Sequence, residues 1–144
     1  MKWICLVALV VPLTARADDP VQRYSAAYVA LARQAADGLQ KVAALVDPKD
    51  CGSVDKALPV ATKALKEHEK LLQDYEDAKK ATTPEQRKAG TRAAMTTLMP
   101  EFQQSRDSER AAGQRLKDFE KSCPKQAEQA QAQLKPLIQK VPND

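Results

Sequence analysis

Glycine occurs four times in these 144 residues, and histidine and tryptophan once each. Each scarcity closes off chemistry. Four scattered glycines do not make a Gly-rich loop that could cradle phosphates. A lone histidine makes a zinc site poor and leaves nucleophilic catalysis without a base and orienter at sequence spacing. Aromatic residues are 4% of the chain and no segment alternates apolar with polar residues, so strands and a sheet sandwich are not expected. Beyond the first residues, no apolar run is long enough to cross a bilayer. Blocks of like charge are also missing. Lysine and arginine are interleaved with glutamate and aspartate, the pattern of a solvated helix face, so no nucleic-acid partner is expected.

The N-terminus is different in kind. Lys2 precedes an apolar stretch from Trp3 to Leu13, and Ala15-Arg16-Ala17 places small residues at the −3 and −1 positions of a cleavage site. Together they read as a secretory signal over residues 1–17, with residues 18–144 forming one domain and the periplasm as destination. Loss of Lys2 and Arg16 takes the formal charge from +4 to +2. It also removes Trp3 and Cys5, so the three cysteines become two, Cys51 and Cys123. In an oxidising compartment that pair is expected to bridge.

What remains is helical. Val21, Tyr24, Tyr28, Leu31, Ala35, Gly38, Val42 and Leu45 recur at three- and four-residue steps, predicting a helix over residues 20–46 that ends at Asp47-Pro48. A second stripe runs through Val54, Leu58, Ala61, Leu65, His68, Leu72 and Tyr75. Ser53 is its candidate cap, and Pro59 argues for a start nearer Leu58. Thr83-Pro84-Glu85-Gln86 spells a capping box with proline at the first helical position. From there Leu98, Phe102, Ser105, Glu109, Ala112, Leu116, Phe119 and Cys123 form a third stripe, in which Pro100 predicts a kink or short break near Met99. Pro124 opens a fourth stretch carrying Ala127, Ala130, Leu134, Leu137 and Val141, which Pro136 bends or ends. The expected fold is all-α: an up-and-down bundle of three long helices plus a C-terminal helix, stapled by Cys51–Cys123. A straight third helix packed from Pro84 would carry Cys123 past Cys51. The bridge therefore calls for a bend near Pro100 or an offset start.

Candidate chemistry is thin. Counted from the turn at Thr82, His68 stands at about the height of Leu98 and Met99, with Met95 one turn below on the same face. Imidazole with thioethers is a copper or haem-iron ligand set. The arrangement superficially resembles the four-helix periplasmic cytochrome b562 family, whose ligands are a Met early in the first helix and a His late in the last; neither position matches here. The competing reading makes His68 a seam residue beside core-filling methionines, with no cofactor. Glu109, mid-stripe, is expected to pair with Arg106 or to act as a buried polar group that sets register.

Thr82-Thr83-Pro84-Glu85-Gln86-Arg87, followed by Met95, Leu98 and Met99, resembles the L-T-x-x-Q signature of Spy-type periplasmic chaperones over about 18 residues. The resemblance implies a helical protein that cradles unfolded clients. Thr82 stands where that family has leucine, and the family's second copy is missing. The wider layout resembles small uncharacterised helical exported proteins of Gram-negative bacteria. The residues thus point to a non-enzymatic periplasmic bundle acting through helix-face contacts with itself or another protein. A client-binding chaperone and a copper or haem carrier using His68, Met95 and Met99 are the alternatives. No membrane span is expected once the signal is removed.

Overall fold

A computed structural model describes residues 19–139. The export signal expected over residues 1–17, with Trp3 and Cys5 in it, lies outside the described residues, as does Val141. Four helices follow one another: α1 Pro20–Leu45, α2 Val54–Lys80, α3 Pro84–Ser122 and α4 Pro124–Ile138. No helix among the described residues is long and apolar enough to cross a membrane.

Local chemistry accounts for the helix ends. The Asp19 carboxylate accepts the Val21 N–H at 3.0 Å, and Pro20 occupies the first turn, where its missing N–H goes unmissed. The capping box at α3 is complete: Thr83 Oγ1 accepts the Gln86 N–H at 3.2 Å, and Gln86 Oε1 accepts the Thr83 N–H at 2.9 Å.

The α1–α2 connection folds on its own side chains. Asp47 accepts from the Lys49 N–H, Asp50 accepts from the Gly52 N–H, and Cys51–Ser53 form one 3₁₀ turn. Ser53 does not cap α2. Its hydroxyl oxygen instead accepts the Asp47 N–H at 2.8 Å, closing the turn. Nor does α2 wait for Leu58: it starts at Val54 and runs through Pro59. A proline this near the N-terminus forfeits only the one bond back to Asp55.

α1 is the axis of the molecule. It packs along both α2 and α3, while α2 and α3 hardly touch each other, and α4 bridges them at one end. α1 and α2 are antiparallel, with Tyr24 against Tyr75 and Gly38 against Ala64. α1 and α3 are parallel. Gly90 receives the Tyr24 ring, Arg33 pairs with Glu101, and Arg115 Nε donates to the Val46 carbonyl, pairs that differ in number by 66, 68 and 69.

That register answers the disulfide geometry. α3 has 39 residues against 26 in α1, so it overhangs α1 at both ends, by about 12 Å at the upper one. The 46–53 connection climbs into that overhang, and Cys51 meets Cys123 with their Cα atoms 5.5 Å apart. No break is needed, and none occurs. α3 continues unbroken through Pro100, whose ring is on the exposed side of the helix.

Two cores hold the ends. At the upper end Val46, Ala57, Phe119, Cys123 and Ala127 are buried together, with Val42, Val54 and Leu116 packed against them. At the lower end the Tyr24 and Tyr75 rings lie 5.3 Å apart with their hydroxyls hydrogen-bonded at 2.9 Å, and Tyr28 meets Tyr75 edge-on. Leu98, fully buried, packs between the ends. Leu45, assigned to the first apolar stripe, is 37% exposed. α1 buries two faces, one against each neighbour, and Ala43 takes the inward place instead.

Candidate functional site

Because α2 and α3 do not close on each other, α1 is left with an uncovered strip. An apolar groove of about 450 Å³ forms there. Ala35, Leu39 and Val42 of α1 make its floor. Ala61 and Leu65 of α2 and Leu116 of α3 make its walls, and Leu134 and Ile138 of α4 roof its upper part. A further cavity of about 250 Å³ under α4 shares Val42, Ala61, Leu116 and Leu134, so the apolar lining continues inward.

The groove is open for two reasons. Gly38 and Ala64 set α1 and α2 so close that a Cβ on Gly38 would come within 3.2 Å of the Ala64 Cβ, leaving small residues where larger ones would fill the space. α4 ends at Ile138, short of the lower half. Leu39 stays 38% and Ile138 51% exposed as a result.

Two polar side chains enter the lining, Gln34 and His68. They form a chain. Gln34 Nε2 donates to the Ala64 carbonyl at 2.7 Å, and Gln34 Oε1 lies 2.9 Å from His68 Nδ1. No buried side-chain nitrogen or oxygen among the described residues lacks a partner, so the other ring nitrogen of His68 is open to the groove or to solvent.

The methionines do not share the groove with His68. Gln34 marks the height of His68, and the α1–α3 offset puts Phe102 at that height on α3. Met99 and Met95 lie three and seven residues lower, about 4.5 and 10 Å down the helix. Neither lines the groove, and Met99 is 45% exposed. The sequence count misjudged the height because it assumed that α2 and α3 climb side by side from their turn, whereas each climbs along α1 in its own register. Among the described residues no group of three or more His, Cys, Asp or Glu is placed to hold a metal ion.

Glu109 also has a different partner from the expected one. Its carboxylate accepts the Ser105 hydroxyl at 2.6 Å, one turn back on α3, in place of a pair with Arg106. Cys51 and Cys123 are joined. The groove itself was not anticipated from the sequence. Its traces were Gly38 and Ala35 facing Ala61 and Ala64, small residues where a filled core would carry large ones. No protein family, characterised protein or solved structure matches the chain at a significant level.

Proposed function

We propose that this chain is a non-enzymatic periplasmic binding protein whose working surface is the groove over α1, filled by an apolar segment of a different protein. The observation that supports this reading most is an unfilled lining of Leu, Val, Ile and Ala broken by one polar pair. Exposed apolar surface of this kind, rimmed by polar residues, marks interaction sites. A second copy is a poor occupant. Among the described residues the large exposed apolar side chains outside the groove are Leu45 and Met99, on separate helices, so these residues offer no apolar ridge to a second copy.

The test places a photo-crosslinking residue at Leu39 in cells, with Gln103 on α3 as the exposed control site. A single adduct is expected at position 39, identified by mass spectrometry and rebuilt from purified proteins, and lost when Ala35→Phe fills the groove. No adduct specific to position 39 sinks the proposal. Fractionation and N-terminal sequencing test the compartment: release with the periplasmic fraction and a start at Asp18 are expected. The open groove also fits a general client-binding chaperone. That reading requires suppression of aggregation of a reduced model client, and its loss in Ala35→Phe.

A further inference from the structure

The hydrogen bonds around Gln34 determine which end of His68 faces a visitor. A backbone carbonyl only accepts, so the Gln34 atom facing Ala64 must be the NH₂ group. The atom facing His68 is then the amide oxygen, which also only accepts. The proton between them must come from His68, on Nδ1. A neutral His68 therefore carries its lone pair on Nε2, the reverse of the form that free histidine prefers. That leaves Nε2, on a residue of the groove lining, as a hydrogen-bond acceptor among aliphatic side chains and Gln34.

Resting on the groove as a protein-binding surface, we propose that the occupant is a partner segment that inserts a tyrosine, its ring against the aliphatic lining and its hydroxyl donating to His68 Nε2. An apolar body with one donating tip matches a lining with one acceptor. Tyrosine supplies that combination at low conformational cost, which is why it is enriched at interfaces. An isosteric phenylalanine would leave the acceptor without its partner. The chain's own Tyr24, Tyr28 and Tyr75 are packed together at the lower end of α1, which again points to a different protein.

The chain has one histidine, so labelling histidine with ¹⁵N reports on this ring alone. At mildly alkaline pH the free protein should show Nδ1 protonated and Nε2 bare. Gln34→Leu should release that preference. The binding probes are 4-propylphenol and 4-propylanisole, of similar shape, the second without a donor. The phenol should bind saturably, shift the Nε2 resonance and hold about fivefold tighter than the anisole. His68→Ala should make the two equal, and Ala35→Phe should exclude both. A proton on Nε2 in the free protein overturns the inference. Equal binding of both probes that Ala35→Phe abolishes also overturns it, while leaving the groove as a binding surface. If neither probe binds and no adduct forms at Leu39, the groove reading fails and this inference falls with it.

Discussion

Two glycines in the interior of α3 should respond to the same substitution with opposite sign. Replacing a helix-interior glycine with alanine is worth about 1 kcal/mol in its favour, through chain entropy and propensity. At Gly113 nothing lies within 4 Å of the added methyl, so Gly113→Ala should stabilise the protein by about 0.5–1 kcal/mol. At Gly90 the added Cβ would stand 2.6 Å from Tyr24 Cδ1 and 3.2 Å from the Val21 carbonyl oxygen. The ring has little room to retreat. Tyr24 is 4% exposed and its hydroxyl is held by Tyr75, so a rotation that relieves the clash also strains that bond. The carbonyl belongs to α1, so relief from that side means moving α1 away from α3. Overpacking of this kind costs roughly 1–3 kcal/mol, which outweighs the propensity gain and leaves Gly90→Ala about 1 kcal/mol destabilising. Urea unfolding followed by helical circular dichroism measures both variants, with an unchanged slope confirming that stability alone has moved. Tyr24→Leu should soften the penalty at Gly90 and leave Gly113→Ala untouched, since only the first pair is in contact. Equal stabilisation by the two glycine substitutions would refute the α1–α3 register drawn from Tyr24 and Gly90.

Three further outcomes are expected. The Cys51–Cys123 bond spans 72 residues, so converting both to alanine should cost up to about 4 kcal/mol. Unfolding with and without reductant measures that loss, and two titratable thiols in the native protein would refute the bridge. Burial, helped by the bond to Tyr24, pushes the Tyr75 phenol well above the ordinary tyrosine range. A raised value means that the folded state holds this proton more tightly than the unfolded chain does. The stabilisation is therefore complete below pH ~10 and is lost as pH rises above it. Ultraviolet titration should find one tyrosine ionising late, and Tyr75→Phe should flatten the alkaline loss of stability. Thr83→Ala removes one half of the capping box and should cost about 1 kcal/mol by thermal unfolding, with Gln86→Ala adding less than its own single effect because the two bonds are reciprocal.

The amino-acid sequence by itself was enough for four helices, their order and most of their ends. Periodic leucines and alanines, a proline in the first turn of α1, α3 and α4, and the Thr83–Gln86 box are local signals that act within one or two turns. The staple was legible as well, because only two cysteines remain outside the apolar N-terminal stretch. The errors share a cause. Pro59 was read as moving the start of α2 toward Leu58 and Pro100 as a kink or short break near Met99, but both helices run on through them, since a helix held along its length by a neighbour survives one missing bond. Ser53 was read as a cap because its spacing allowed it, yet its hydroxyl accepts from the Asp47 N–H instead. Only the tertiary structure decided that α1 lies between α2 and α3 and that Tyr24 and Arg33 of α1, with Val46 at its C-cap, stand beside Gly90, Glu101 and Arg115 of α3. From those two facts come the meeting of Cys51 with Cys123, the separation of His68 from Met95 and Met99, and the open groove that Gln34 and His68 enter. Such distances are set by how whole helices slide and splay, through small residues such as Gly38, Ala64 and Gly90 that let backbones approach, and no short stretch of sequence contains that information.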